Sequence, residues 1–317
     1  MAGNDFHRLS PTASDSRAEM ISPSNMVLGS FIGDALALGP HWIYDQAAIR
    51  NRFGKAQCYH PPISAYHPGK SAGDLTHYGD QTLVLLRSIA ENGGFGLAHF
   101  SASWRDFWEN SATISYRDGA TKSTLAHLQS GAPASTSQDI AGAARIAPLF
   151  LLKWDDDDAL LAAVRAQTRF THGDPSVIEA AEFFTRVVFA LRRGSGMQDA
   201  MENTMKLRWN SLAADGFENA VESAASPEAD STELHRHGLS CHTEDALPAI
   251  CHLLLRHWED PATALIENTS AGGDSAARGM LLGLVYGAAF PVSGWPAQWT
   301  KDLHALPEIN RLIQQLS

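Results

Sequence analysis

Four short stretches set a carboxylate beside a glycine near a helix end: Gly33-Asp34, Tyr78-Gly79-Asp80, Thr171-His172-Gly173-Asp174 and Gly272-Gly273-Asp274-Ser275. Glycine lets the backbone come close to a ligand, and a helix N-terminus offers free N–H groups and the positive end of a dipole. A carboxylate there can activate water, steady a developing cation or hold a hard metal ion through oxygen. His41 and His172 lie in the same neighbourhoods, and histidine titrates close enough to neutral pH to hand a proton to a leaving group. Arg145 and Arg278 are the cations able to bind an anion such as a diphosphate. Each residue also admits a plainer reading. Asp80 and Asp274 serve as helix caps, His172 bonds a loop carbonyl, His41 packs in the core, Asp34 makes a buried hydrogen bond and Arg145 props the fold.

These side chains need elements to carry them. The stretch Asn268–Phe290 reads as the central helix, entered through Gly272-Gly273 and capped by Asp274 or Ser275. Gly279, Gly283 and Gly287 recur every fourth residue and so share one face. Glycine in a helix costs about 1 kcal/mol relative to alanine, so the stripe implies close approach of another backbone. Gly29 and Gly33, in a helix expected from Met26 to Leu38 with Asn25 as cap, form a matching stripe.

Further along the chain, a Pro- and Gly-rich loop covers 51–76. A helix follows from a cap at Asp80 to Gly93-Gly94, and another spans Ala98–Thr113. Asp155–Asp158 opens a helix to Arg169, as acids at an N-terminus suit the dipole. Helices are also expected over Ser176–Arg193, more weakly over Met197–Ser211, then over Glu244–Trp258, Pro261–Asn268 and Glu308–Gln315. Residues 213–235 are acidic and Ser/Ala-rich and are expected to include a disordered loop. No segment alternates with a two-residue period, so the chain reads all-α. It divides into a mobile leader, 1–24, and one orthogonal helical domain, 25–317.

A net charge of −11 argues against a general nucleic-acid binder, which needs a basic face. No apolar run approaches the ~18 residues of a membrane span. The three cysteines, Cys58, Cys241 and Cys251, contain no CxxC and suggest a reducing compartment. A cytoplasmic protein is the expectation, and nothing indicates its oligomeric state. His235, His237, Cys241 and His242 fit no zinc-finger spacing and read as a polar loop.

The ordered set Gly33-Asp34-Ala35-Leu36, Asp80, Thr171-His172-Gly173-Asp174-Pro175 and Gly272-Gly273-Asp274 resembles the ADP-ribosylglycohydrolase family over roughly residues 25–290. Gly142–Pro148 is similar to that family's arginine-containing substrate loop. His41-Trp42-Ile43-Tyr44-Asp45, Tyr78-Gly79-Asp80-Gln81 and Asn268–Gly279 look closest to the branch that includes jellyfish J1-crystallin. The resemblance implies an all-α fold and a hydrolase of ADP-ribosyl N- or O-glycosidic bonds, on a small molecule or an ADP-ribosylated protein. Active members hold two magnesium ions. They carry Thr-Asp-Asp where this chain has Tyr78-Gly79-Asp80, and Gly-Gly-Asp-Thr-Asp-Thr where it has Gly272-Gly273-Asp274-Ser275-Ala276-Ala277. The departures imply a reduced site, with one Mg²⁺ at most on Asp80 and Asp274. The implied catalytic set is Asp80, Asp274, His41 and His172. The implied substrate-binding set is Asp34, Gly79, Arg145, Gly272, Gly273, Ser275 and Arg278. The alternatives are a catalytically silent ADP-ribose- or nucleotide-binding protein and a structural, crystallin-like one.

Overall fold

Two glycine-striped helices lie against each other at the centre of the molecule. They are α1 (Pro23–Ala37) and α14 (Ser275–Ala289). The computed structural model describes residues 22–110, 112–113 and 115–316. In between run α2 (Gln46–Phe53), α3 (His77–Asn92), α4 (Leu97–Asn110), α5 (Gly119–Ser130), the short α6 (Ala141–Ala144), α7 (Asp157–Thr171), α8 (Pro175–Arg192) and α9 (Met197–Met205). There follow α10 (Ala214–Ala224), α11 (Asp230–His237), α12 (Thr243–Arg256) and α13 (Pro261–Ala271); after α14 come α15 (Ala297–Lys301) and α16 (Leu306–Leu316). Among the described residues there is no strand, and a single antiparallel bridge joins Asp139 to His242. The all-α reading is borne out.

The stripes mate in antiparallel register. A Cβ added to Gly33 would lie 2.0 Å from the Gly279 carbonyl oxygen, and one on Gly29 would lie 2.3 Å from that of Gly283. The contact is reciprocal, since a Cβ on Gly283 would meet the Gly29 oxygen at 2.0 Å. Such separations leave room only for Cα–H groups against carbonyls, a weak but repeated attraction. Close backbone contact and complete burial offset the intrinsic cost of the glycines. Every residue of α14 from Ser275 to Ala288 is buried, as befits a helix that is apolar on all sides.

Three expectations change. The first helix starts at Pro23, with Ser22 capping, rather than at Met26 behind Asn25. Proline at the first turn is preset for a helix. Of the leader expected over 1–24, residues 1–21 lie outside the described residues, Ser22 caps this helix and Pro23 and Ser24 begin it. The region expected to be disordered, 213–235, carries α10 and α11 instead. Asp215, Glu218, Glu222 and Glu228 face outward while Phe217, Ala220 and Leu234 enter the core. The composition masked a helical spacing. Third, Thr76 rather than Asp80 caps α3: its Oγ1 accepts from Tyr78 N at 3.1 Å, which places Asp80 inside the first turn.

Candidate active site

The turn that leads into α14 is pinned on three sides. Gly272 and Gly273 take φ 75° and 64°, the left-handed region where glycine carries no Cβ penalty. Gly273 N donates to Ile43 O at 2.8 Å, Trp42 N donates to Gly273 O at 2.8 Å, and Asp274 N donates to Leu239 O at 2.9 Å. A Cβ on Gly272 would strike Ile43 O at 2.3 Å. The two glycines thus fit a rigid junction. Arg278, fully buried, reaches back from α14 and donates to Asn268 Oδ1 at 2.9 Å and to Gly272 O at 2.5 Å. As placed it is a strut for the turn, with its Nη1 buried and unpartnered. Ser275 is buried with its Oγ unpartnered, and its carbonyl accepts from Asn268 at 2.9 Å.

This junction aims Asp274 inward. Its side chain makes no cap bond. Oδ2 instead accepts from Trp42 Nε1 at 2.8 Å and stands 3.0 Å from Tyr78 Oη, while Oδ1 is buried without a partner. Tyr78 Oη stands also 3.0 Å from Asp139 Oδ2. One phenol has one proton, so it can donate to only one of the two carboxyls. Burial, then the nearby Asp274 charge, pushes Asp139 well above the usual carboxylate range. Burial raises Asp274 as well, opposed by the Trp42 hydrogen bond. The arrangement that satisfies both contacts is Asp139 protonated and donating to Tyr78, and Tyr78 donating to ionised Asp274. Cys241 lies in the same knot, its thiol pushed up by burial and the two acids. Trp42 holds its place with φ 63°, a strained value for a bulky residue, fixed by its backbone and side-chain bonds.

Asp34 and Gly79 have a structural task. Asp34 is fully buried and accepts from Thr76 N at 2.7 Å, Thr76 Oγ1 at 2.5 Å and Gly79 N at 3.2 Å. It ties α1 to the start of α3. Burial pushes its carboxyl up to about 6. Gly79 is required because a Cβ would lie 2.2 Å from Asp34 Oδ2. Asp80 is claimed by Lys70, whose Nζ sits 2.9 and 2.7 Å from its two oxygens, with both side chains almost wholly buried.

Burial raises the Asp80 carboxyl, and the Lys70 ammonium works against that rise. Replacing Lys70 by Met leaves a buried carboxylate unpaired, at an expected cost of about 3 kcal/mol at neutral pH. Its folded-state pKa then climbs further above the unfolded one, so the defect is full above both values. It fades as pH falls through the folded value and vanishes below about 4. Urea unfolding of Lys70→Met at pH 7.5 and pH 4 checks this; equal losses at both would contradict it.

The histidines are buried too. His172 is 1% exposed, its Nδ1 lies 2.8 Å from Thr171 Oγ1 and 3.2 Å from Arg145 Nη2, and burial followed by the Arg145 charge lowers it to about 3. Arg145 also donates to Gln81 Oε1 and Thr171 Oγ1 and so props the floor beneath His172. Burial likewise lowers His41 well below the usual histidine range. Both are neutral at pH 7, so neither is the acid its residue type suggests.

The donors do not fit magnesium. Lys70 occupies both Asp80 oxygens, and Thr76 and Gly79 fill those of Asp34. Asp274 clusters with Asp139 and Cys241, and Asp80 is in no cluster of three ligand-type side chains among the described residues. A thiol is foreign to Mg²⁺, which wants near-octahedral oxygen. The centre is also covered. Trp42 packs against His41, His67 and His77, with Tyr66 and Tyr116 edge-on to it. Clefts of about 540, 810 and 540 Å³ open elsewhere on the surface, and none is lined by Asp80, Asp274, His41 or His172.

Sequence reasoning missed Asp139, Tyr78 as a proton relay, Lys70, and the pair His67 and His77. Asp139 stands in a polar run, Ser135–Asp139, with no glycine beside it to draw notice. Asp174, in the third junction, is an ordinary cap: its Oδ1 accepts from Ser176 N at 2.9 Å.

Fold and site together define an all-helical protein built around buried, paired carboxyls at the mouth of a glycine-packed helix. The sequence profile of the ADP-ribosylglycohydrolase family matches residues 24–317, and the chain belongs to that family. A curated relative, ADP-ribosyl-(dinitrogen reductase) glycohydrolase of Rhodospirillum rubrum, is 24% identical over 250 residues, covering 77% of this chain and 79% of the relative. A solved structure described as an ADP-ribosylglycohydrolase-related protein complex superposes with a TM-score of 0.71 at 20% identity, over 93% of this chain and 97% of that one. The likeness to that structure is one of fold. No described helix is long and apolar enough to cross a membrane.

Proposed function

We propose that the protein is a glycohydrolase that cleaves an ADP-ribosyl N- or O-glycosidic bond without a magnesium pair. The observation that carries this reading is the Asp139–Tyr78–Asp274 relay, with each carboxyl 3.0 Å from the same phenol. Glycosidic cleavage passes through an oxocarbenium-like state and needs one carboxylic acid kept protonated beside one kept ionised. Asp139 supplies the proton through Tyr78, whose phenol gives its own proton to the leaving group and takes that of Asp139. Asp274 Oδ1, which has no partner, steadies the sugar cation or takes a proton from water. The relative from Rhodospirillum rubrum bears a name that makes an ADP-ribosylated protein its substrate, and the same substrate class is proposed here. The affinity to the J1-crystallin branch, on His41–Asp45, and a cytoplasmic location, on three free cysteines, belong to the same proposal.

The aromatic cover favours a second reading, a silent ADP-ribose binder, because Trp42 must move before a sugar reaches Asp274. The two are separated by following release of ADP-ribose from an ADP-ribosylated peptide in excess EDTA, alongside calorimetry with ADP-ribose. Release in EDTA supports the hydrolase; heat without release supports the binder.

The pH profile discriminates further. The rate is expected to fall on the acid side as Asp274 protonates, and on the alkaline side as Asp139 loses the proton that burial keeps on it. No inflection is expected near 6.5, because His41 and His172 stay neutral there. A histidine-like inflection lost in His172→Gln would contradict the assignment.

A further inference from the structure

The proposed chemistry leaves three buried histidines unused. His41, His67 and His77 converge under Trp42 with relative exposures of 0%, 3% and 0%. One ring nitrogen from each lies within 4.8 Å of the others. Both nitrogens of His41, Nδ1 of His77 and Nε2 of His67 have no hydrogen-bond partner, while His77 Nε2 contacts Asp118 Oδ2 at 3.3 Å. A buried imidazole ordinarily satisfies at least one nitrogen. Three that leave nitrogens bare toward one another require an occupant that accepts lone pairs.

We propose that His41, His67 and His77 form a binding site for one divalent transition-metal ion of the zinc class. A tetrahedral Zn²⁺ with Zn–N near 2.05 Å sets its nitrogens about 3.4 Å apart. The cluster therefore closes by little more than an ångström, within the reach of side-chain rotation. Imidazole nitrogen suits zinc, cobalt or nickel and not magnesium or calcium.

The outer surroundings fit as well. His77 Nε2 stands 3.3 Å from Asp118 Oδ2, placed to give its N–H to that carboxylate and leave Nδ1 for the ion. Asp118 is itself anchored, since its Oδ1 accepts from Thr121 N at 2.6 Å. A carboxylate behind a ligating histidine fixes the ring and raises its basicity. Asp118, 3.3 Å from His77, offsets part of the charge of an added dication. Lys70 is committed to Asp80, and Arg278 to Gly272 and Asn268.

The inference stands apart from the hydrolase reading, since metal binding is measured without substrate. The test uses full-length, tag-free protein stripped with EDTA, then titrated with ZnCl₂ by calorimetry and dialysed for metal analysis. The expected result is one zinc retained per chain, a sub-micromolar Kd and a raised thermal midpoint. Co²⁺ in place of Zn²⁺ should give the intense visible bands of a four-coordinate nitrogen site. His67→Gln and His41→Gln should each weaken Zn²⁺ at least 100-fold while remaining folded by circular dichroism. His242→Gln, outside the cluster, should bind as the wild type does. No retained zinc overturns the proposal. So does retention undiminished in both cluster variants, or a weak six-coordinate cobalt spectrum typical of oxygen ligands. The cobalt spectrum of the wild type decides the matter even if a variant misfolds.

Discussion

Asp274→Asn is expected to slow release of ADP-ribose by about 10²–10⁴-fold while leaving the thermal midpoint within a few degrees of wild type. The substitution keeps the shape. An amide oxygen in the place of Oδ2 still accepts from Trp42 Nε1, 2.8 Å away, and from Tyr78 Oη, 3.0 Å away, while the NH2 group takes the place of Oδ1. What it removes is the charge and the free lone pairs on Oδ1, the atom that no protein group satisfies. A structural role alone would show the opposite pattern, with lost stability and retained turnover. Asp80→Asn provides that contrast, because it leaves the Lys70 ammonium unpaired yet does not touch the Asp139–Tyr78–Asp274 relay. Undiminished turnover in Asp274→Asn would remove the residue from the chemistry. Turnover lost in Asp80→Asn alone, with Asp274→Asn active, would move the site to the first turn of α3.

The helices were readable because their periodicity is strong and their caps are local. The glycine stripes even announced which two helices meet. Gly29 and Gly33 do oppose Gly283 and Gly279, since a backbone contact that tight tolerates only one residue type. The site was legible only in part. Asp34, Gly79, Arg278 and the Gly272-Gly273 turn stand in the motifs that drew attention, yet their side chains and backbones hold the scaffold together. A motif shows which positions are constrained, not whether a ligand or a neighbouring strut imposes the constraint. The reverse held for Asp139 and Lys70. Each reaches its partner through tertiary packing, Asp139 to Asp274 across 135 positions of sequence and Lys70 to Asp80 out of a long loop. No local pattern records such meetings. Whether a histidine is an acid or a neutral imidazole depends on burial, which a lone His-Gly-Asp cannot disclose.

Gly33→Val is expected to leave no soluble, native protein at 37 °C, the largest stability effect of any single change proposed. The added Cβ would lie 2.0 Å from Gly279 O, 2.4 Å from Gly279 C and 3.1 Å from Met280 N. All three are backbone atoms of a fully buried helix, so no side chain can swing aside. Ordinary contact is roughly 3.5 Å, so α1 and α14 would have to part by more than an ångström. The neighbouring contact at Gly29 and Gly283 shares the same rigid pair and would open with it. The gain in helix propensity on losing glycine is under ~1 kcal/mol. The expected loss exceeds about 4 kcal/mol, the diagnostic end of single-site effects. Gly33→Ala should retain some folded protein with a much lower urea midpoint. Gly216→Ala, where a Cβ meets nothing within 4 Å, should match or slightly exceed wild type and serves as the control for helix propensity. A Gly33→Val protein that melts within a few degrees of wild type would mean that the two helices are not in backbone contact. The junction that aims Asp274 hangs from the first turn of α14, so an opened helix pair would also release the carboxylate that the proposed chemistry requires.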